Sequence, residues 1–178
     1  MLLVVAATER ELAPVEGARR AASGIGPVEA AVATARALAE ERPSAVLHVG
    51  IAGARGLEPL TLVIGSEAVY CDAVGPLVPA RALPDADLLA RLHAAFPEAE
   101  VRPIGTSARV GGSRGVDVEA MEGFAVLRAC ELAGVPAVEV RVVSNVIDEP
   151  DRALWRFDEA FATLAETLPR LVAVASAA

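Results

Sequence analysis

The sequence predicts an α/β protein with a mainly parallel β-sheet flanked by helices, folded as a single domain over residues 1–178. Short runs of β-branched residues alternate along the chain with segments whose apolar residues recur at helical spacing. This alternation is typical of strands joined by crossover helices, a connection that makes neighbouring strands parallel. The composition, 54% hydrophobic and 22% charged, excludes a disordered chain and favours one domain with a sizeable core.

Five strands are expected, each bounded by glycine, proline or acidic residues. They are Leu2–Ala7, Ala45–Val49, Thr61–Tyr70, Val101–Ala108 and Ala137–Val143. Ligands of such sheets bind beyond the carboxyl ends of the strands. The candidate binding loops therefore follow the first, second, fourth and fifth strands, and their sequences are TERE, GIAGARG, RVGGSRG and SNVIDEP.

Four helices are expected from apolar residues that recur every three or four positions. They are Val28–Glu41, Asp87–Ala95, Glu119–Ala133 and Phe157–Val174.

Charge and composition limit the possible functions. The net charge of −8 excludes a nucleic-acid partner, because phosphate binding needs clustered positive charge. All sixteen basic residues are arginines, so lysine Schiff-base chemistry and the phosphate-loop lysine are excluded. The two cysteines form no paired motif, and no basic leader or long apolar run is present, which predicts a cytoplasmic protein without a membrane partner.

The carboxylates at two predicted helix starts each have a structural and a functional interpretation. Glu9 and Glu11 are first-turn residues stabilised by a helix dipole, which their spacing favours, or one of them is a general base facing a ligand. Glu122, beside Met121 at the start of an apolar helix, is satisfied by backbone amides or accepts hydrogen bonds from two ribose hydroxyls.

The histidines and the tryptophan are interpreted as structural. His48 lies inside an apolar strand and is expected to be a hydrogen-bonded core residue, whereas His93 is expected at the surface. Trp155 is expected to pack rather than to stack on a ligand. Neither histidine has a further ligand at metal-binding spacing, so no metal and no cofactor are expected.

Five motifs occur in the order ATERELAPV, SGIGPVEAA, VGIAGARGL, VEAMEGFAV and VRVVSNVID. In that order they resemble motif regions of the purine nucleoside phosphorylase and methylthioadenosine nucleosidase superfamily, and they span residues 6–148. The resemblance implies a three-layer α/β fold with a central mixed, mainly parallel sheet. It also implies a small-molecule nucleoside substrate, cleavage of an N-glycosidic bond, and a homodimer or higher homo-oligomer.

The resemblance also implies roles for single residues. Glu11 falls where the nucleosidases carry the glutamate that activates water, and Met121 and Glu122 fall on the methionine and the ribose-binding glutamate. The other implied substrate-binding residues are Ile25, Ala52, Gly53 and Arg109. Arg109 stands where nucleosidases often carry a base-stacking aromatic residue.

Asn145 departs from the adenine-specific members, which carry an aspartate at this position. It is the only asparagine of the chain, and there is no glutamine. A carboxylate suits adenine, whose position 6 carries an amino donor, but it repels the carbonyl of hypoxanthine. An amide offers a donor to O6 and an acceptor to a protonated N7. A mismatched buried polar group costs about 1–3 kcal/mol, so Asn145 indicates a 6-oxopurine.

Within the superfamily, VEAMEG, RVVSNVID and DEPDRALWRFDEA resemble the futalosine hydrolases. This resemblance implies hydrolysis of futalosine to release hypoxanthine, a step of one route to menaquinone. Futalosine carries a benzoate on its sugar side, so an arginine is expected near the site. Arg55, Arg109 and Arg152 are the candidates, and the sequence does not choose among them.

Three alternatives stay open. A purine nucleoside phosphorylase would use phosphate as the nucleophile, although Glu9 and Glu11 would repel that anion near the first loop. A methylthioadenosine/S-adenosylhomocysteine nucleosidase would act on adenine, which Asn145 disfavours. A non-catalytic purine-binding protein would have no need of Glu11 and Glu122.

Overall fold

The computed structural model describes residues 1–73 and 75–177, which form eight strands and five α-helices. The strands are β1 (Leu3–Ala6), β2 (Arg19–Ala22), β3 (Val46–Ala54), β4 (Leu62–Tyr70), β5 (Arg81–Ala82), β6 (Glu100–Thr106), β7 (Val118–Ala120) and β8 (Ala137–Val146). The helices are α1 (Glu9–Leu12), α2 (Pro27–Glu40), α3 (Ala86–Ala95), α4 (Gly123–Ala133) and α5 (Phe157–Ser176), with a 3₁₀ turn at Arg152–Leu154. None of the described helices is long and apolar enough to cross a membrane.

The sheet is mixed, and part of it closes into a ring. β2, β1, β3 and β8 lie side by side in parallel register. β8 also pairs antiparallel with β4, β4 and β7 each pair parallel with β6, and β7 returns antiparallel to β3. The predicted mixed, mainly parallel sheet with flanking helices is confirmed. The barrel-like closure was not predicted, because strand patterns do not reveal which strands pair.

Alternate residues of β1 show how the helices cover both faces of the sheet. Val4 and Ala6 pack in a core cluster with residues of α3 and α5, whereas Leu3 and Val5 pack in a second cluster with residues of α2 and α4. All four side chains are fully buried. This explains why the strand is apolar throughout instead of alternating with polar residues.

Three predicted boundaries are wrong, and each error bears on the site. Gly50–Ala54, predicted as a loop, continues β3 because it pairs with Arg141–Val146 of β8. Asn145 therefore lies inside β8 and not in the loop after it. The helix predicted from Glu119 begins at Gly123, because Val118–Ala120 form β7 between β3 and β6. The short strands β2, β5 and β7 were not identified in the sequence.

Candidate active site

A cavity of about 290 Å³ lies at the carboxyl ends of β1, β3 and β8, the edge of the sheet at which the sequence places the binding loops. It brings together all the predicted site residues except Arg109: Glu11, Ile25, Ala52, Gly53, Met121, Glu122 and Asn145. The other lining residues are Ala7, Thr8, Ile51, Val110, Glu119, Ala120, Arg141, Ser144, Trp155, Phe157 and Phe161.

Glu11 is fixed by the start of α1. Thr8 is the N-cap of this helix, and the Oε2 atom of Glu11 accepts from the Thr8 amide at 2.8 Å and from its hydroxyl at 2.7 Å. This reciprocal capping box confirms that Glu11 is a first-turn carboxylate. The buried side chain also lines the cavity, so the structural and the ligand-facing interpretations are compatible.

Arg141 lies under the cavity floor, and the sequence analysis did not identify it. Its side chain is only 1% exposed. Its Nε donates to Glu139 Oε1 at 2.8 Å, and its Nη2 lies 2.5 Å from His48 Nε2 and 3.3 Å from Glu122 Oε2. Burial opposes the charge of Arg141, but Glu139 and Glu122 outweigh this effect and raise its pKa. The signal in the sequence was an arginine within an apolar strand, which needs buried partners.

His48 is neutral and holds one edge of this guanidinium. Its Nδ1 lies 3.0 Å from the Val5 carbonyl oxygen, which only accepts, so Nδ1 carries the proton and Nε2 accepts from Arg141. Burial, and then the charge of Arg141, hold the pKa of His48 well below 6.5, although the bond to Val5 opposes them. His48 is thus the satisfied core residue that the sequence predicts, and His93 is exposed as expected.

Two glycines make room for the buried charges. A Cβ atom on Gly50 would overlap the guanidinium of Arg141 and lie 2.8 Å from Glu11 Oε1, so these two groups converge over this glycine. A Cβ atom on Gly123, at the start of α4, would overlap the carboxylate of Glu139. Gly50 begins the candidate binding loop GIAGARG, but the space beside it is taken by the side chain of Arg141.

Glu122 is held from outside its own helix. It precedes α4 and makes no capping bond there. Its Oε1 accepts from the Gly26 amide at 3.1 Å, before α2, and its Oε2 faces Arg141. Only 4% of Glu122 is exposed, beside Met121 in the cavity lining. A charged carboxylate at this depth is stabilised by these donors, which fix where its remaining lone pairs point.

The amide of Asn145 has a defined orientation. Its Oδ1 accepts from the Ser144 hydroxyl at 2.8 Å, and its Nδ2 donates to the Val146 carbonyl at 3.1 Å. A Cβ atom on Gly53 would lie 3.0 Å from Nδ2, so a glycine lets the amide lie against β3. One lone pair of Oδ1 and one N–H of Nδ2 remain for a ligand.

The structure does not bring Arg109 to the cavity. Arg109 is exposed, and its amide donates to the Ser107 hydroxyl at 3.3 Å, while its neighbour Val110 lines the cavity. Arg55 is paired with Asp148 at 2.9 Å. The side chain of Arg152 lies against a lining residue, with its Cζ 5.3 Å from the centroid of the Trp155 ring.

Three aromatic side chains of the α5 region line the cavity. They are Trp155, Phe157 and Phe161. Trp155 and Phe157 meet edge to face, with their ring centroids 5.4 Å apart. The Cζ atom of Arg10 lies 4.1 Å from the centroid of the Phe161 ring. Trp155 was expected only to pack, but it both packs and lines the cavity.

Comparison with known proteins identifies the family. The family described as the phosphorylase superfamily matches residues 20–110 and 108–177. The futalosine hydrolase of Streptomyces coelicolor is 34% identical over 86% of this chain and 77% of that protein. The 5′-methylthioadenosine/S-adenosylhomocysteine nucleosidase of Actinobacillus succinogenes is 32% identical over 71% of this chain and 66% of that protein.

A solved structure shares the fold over almost the whole chain. It is a futalosine hydrolase mutant of Helicobacter pylori, with a TM-score of 0.86 and 18% identity. The match covers 97% of this chain and 98% of that one.

The titration of His48 predicts a pH dependence of stability. The unfolded chain binds a proton at His48 below about pH 6.5, whereas the folded protein does not until the pH falls through the lowered pKa. The free energy of unfolding should therefore fall with decreasing pH in that window, by up to about 1.4 kcal/mol per pH unit from this residue. Urea unfolding at a series of pH values measures the slope, and His48→Gln should reduce it. An equal slope in both proteins would contradict the assignment.

The crowding at Gly50 predicts a loss of stability on substitution. Gly50→Ala places a methyl group in the space of the buried Arg141 guanidinium, so we expect a loss of about 1–3 kcal/mol in the free energy of unfolding. Gly65→Ala is the matched control, since its Cβ atom would meet neighbours at 3.3 and 3.4 Å, a milder crowding on β4. A loss no greater than that of the control would show that Arg141 moves aside without cost.

Proposed function

The chain belongs to the phosphorylase superfamily and is an N-glycosyl hydrolase of nucleosides, and we propose that its substrate is a 6-oxopurine nucleoside, with futalosine as the specific substrate. Hydrolysis releases hypoxanthine, in the futalosine route to menaquinone. The observation that carries the proposal is the amide of Asn145 in the cavity lining. The proposed compartment is the cytoplasm, which suits the two free cysteines, Cys71 and Cys130.

Asn145 matches the leaving base at two atoms. The free N–H of Nδ2 donates to the O6 atom of hypoxanthine, and the free lone pair of Oδ1 accepts from N7–H. The bond to the Val146 carbonyl opposes a flip of the amide, because a flip would set Oδ1 against an oxygen that only accepts. The single proton of the Ser144 hydroxyl has a second acceptor in the Ala52 carbonyl, so the orientation rests on Val146. This fixed polarity is what favours a carbonyl over an amine at position 6.

Glu11 and Arg141 bind and activate the water molecule that is the nucleophile. The capping box uses Oε2 of Glu11, and Oε1 makes no hydrogen bond to any described residue. Oε1 and Nη1 of Arg141 approach each other over Gly50. A water bound there gives a proton to Glu11 as its oxygen attacks C1′ of the ribose. The C1′–N9 bond breaks, its electron pair passes to the purine, and N7 takes a proton from solvent.

Glu122 holds the sugar through the reaction. Its carboxylate, fixed by the Gly26 amide and Arg141, accepts hydrogen bonds from the 2′- and 3′-hydroxyls, and Met121 packs on the ribose. Negative charge beside the sugar also stabilises the positive charge that develops as the bond to the base breaks.

The rim of the cavity supports futalosine within this substrate class. Trp155, Phe157 and Phe161 offer apolar ring surface to an aryl substituent, and Arg10 and Arg152 place positive charge over two of these rings. Arg10 is already paired with Asp158 at 2.6 Å, so Arg152 is the better partner for a carboxylate.

A second candidate is an adenine-directed nucleosidase, because the relative from Actinobacillus succinogenes has that activity in its name. Chromatography of reactions with futalosine, inosine and methylthioadenosine, each with and without phosphate, separates the candidates. The proposal predicts hypoxanthine from futalosine whether or not phosphate is present. Adenine release would overturn the base assignment, and cleavage that requires phosphate would overturn hydrolysis.

Glu11→Gln should abolish turnover while substrate binding persists. The glutamine amide retains an acceptor for the capping box but cannot take a proton from water, and loss of a general base costs about 10²–10⁴-fold in rate. Steady-state kinetics and equilibrium binding measure the two effects. Glu9→Gln changes an exposed neighbour and should leave kcat unchanged. A fully active Glu11→Gln enzyme would remove its assigned role.

Asn145→Asp should reverse the base preference. The carboxylate accepts from the amino group of adenine and repels O6 of hypoxanthine, a change worth about 1–3 kcal/mol, or about one to two decades in the ratio of kcat/KM values. Asn145→Ala, which removes both interactions, should lower the activity without favouring adenine. A preference that is the same in the Asp variant and the wild type would contradict the model of recognition.

We also propose that the chain forms a homodimer through the groove between α2 and α4. This groove of about 730 Å³ is lined almost wholly by apolar residues. Val28, Val32 and Leu132 are 65% to 73% exposed there, which is typical of a surface that a partner covers. Light scattering should give twice the chain mass. Val32→Glu should give monomers and Ala173→Glu, on α5, should not; a monomeric wild type would overturn the proposal.

A further inference from the structure

The segment 107–113 forms one wall of the cavity, and the catalytic steps described above do not use it. It is the first part of the connection between β6 and β7, residues 107–117, and contains no helix or strand of its own. Val110, in the middle of the segment, lines the cavity and is 50% exposed. Its backbone bonds to the sheet once, from the Ser107 amide to the Ala120 carbonyl at 3.2 Å, and has one internal bond, from the Gly112 amide to the Arg109 carbonyl at 3.2 Å. Beyond Ser107 its position therefore depends on side chains that bind its backbone.

Asp72 holds the beginning of the segment. Its Oδ1 accepts from the Ser107 hydroxyl at 3.0 Å, and its Oδ2 accepts from the Ala108 amide at 2.7 Å. Asp72 is itself exposed, so water competes for these bonds and weakens this attachment.

Glu119 holds the other end of the segment and is buried. Its Oε1 accepts from the Gly111 amide at 2.5 Å and its Oε2 from the Ser113 amide at 2.6 Å. Only 7% of Glu119 is exposed. Bonds from backbone amides to a carboxylate are about twice as strong as neutral ones, so this attachment is the firmer of the two.

Glu119 also stands on a rigid support. It lies in β7, where it pairs with Gly53 of β3 and Gly105 of β6. The carboxylate therefore holds the amides of Gly111 and Ser113, which follow Val110, at a fixed distance from the closed part of the sheet.

We propose that Glu119 is a positioning residue for substrate binding, which acts by fixing the segment 107–113 so that Val110 forms the wall against which the bound nucleoside packs. Both oxygens of this carboxylate are used by the segment. Glu11 and Glu122 are held separately, by Thr8 and by Gly26. A loosened wall therefore weakens binding and leaves the reacting groups in place.

Kinetics of Glu119→Gln test this role. The glutamine oxygen accepts from one amide only, and its NH₂ group faces the second N–H. We expect KM to rise about tenfold, the effect of losing one charge-assisted bond, with kcat within about twofold of wild type. Glu67→Gln is the matched control, because Glu67 is a half-buried carboxylate paired with Arg81 away from the cavity, and its KM should not change. A fall in kcat at constant KM would overturn the proposal.

A double-mutant cycle tests the route of the effect. Val110→Ala removes the wall itself and should also raise KM. If Glu119 acts through Val110, the double variant should have a KM no higher than the worse single variant. Multiplication of the two single effects would overturn the proposal. The substrate is whichever nucleoside the wild type hydrolyses, so this outcome is independent of the identity of the base.

Hydrogen exchange keeps the test decisive if Glu119→Gln folds poorly. In Glu119→Asp the shorter carboxylate retains its charge but reaches the two amides less well. The amides of Gly111 and Ser113 should exchange faster, while those of β7 keep their protection, and KM should rise by less than in the Gln variant. Unchanged exchange at both amides would show that Glu119 does not hold the segment.

Discussion

Burial of the Arg141 guanidinium requires acceptors for its N–H groups, and the arrangement of the site follows from where those acceptors lie. Glu139 comes from the same strand, His48 from β3, and Glu122 from the residue before α4. Removing one partner of a buried ion pair typically costs about 3–5 kcal/mol. The bonds to Arg141 therefore hold β3, β8 and the start of α4 in fixed positions relative to each other. The same guanidinium converges with Glu11 over Gly50. The carboxylate assigned to the sugar is thus held by this cation, and the carboxylate assigned to water, which Thr8 fixes, lies near it.

This arrangement accounts for several residues that have no direct role in chemistry. His48 is held neutral because burial and the nearby guanidinium disfavour a second positive charge, and this lowers its pKa. Gly50 and Gly123 lack side chains because Arg141 and Glu139 occupy the space that a Cβ atom would need. Burial raises the pKa of Glu139, even though Arg141 opposes this. The Oε2 atom of Glu139 has no hydrogen-bond partner among the described residues. The structure therefore concentrates charge beneath a cavity whose walls are mainly apolar.

The sequence located the cavity because its motifs end strands or begin helices, and the carboxyl ends of parallel strands meet at one edge of a sheet. Glu11, Glu122 and Asn145 stand in or beside these motifs, and their roles came from the resemblance to the superfamily. Arg141 was missed because it was counted within an apolar strand, and only the register that places it opposite Gly50 brings it to the site. Arg109 was assigned because it stands where nucleosidases often carry a base-stacking aromatic residue, but Val110 lines the cavity instead. The three-residue strand β7 is too short to carry a periodic signal, so ring closure was not predictable.

The most direct test of the account concerns the base alone. Titration calorimetry of the wild-type protein with hypoxanthine and with adenine measures the preference that Asn145 is proposed to create, without dependence on the sugar substituent or on turnover. The account predicts that hypoxanthine binds at least about tenfold more tightly, which corresponds to the lower part of the range for one mismatched buried polar group. Tighter binding of adenine would contradict it, and would leave a nucleosidase whose asparagine does not select a 6-oxopurine.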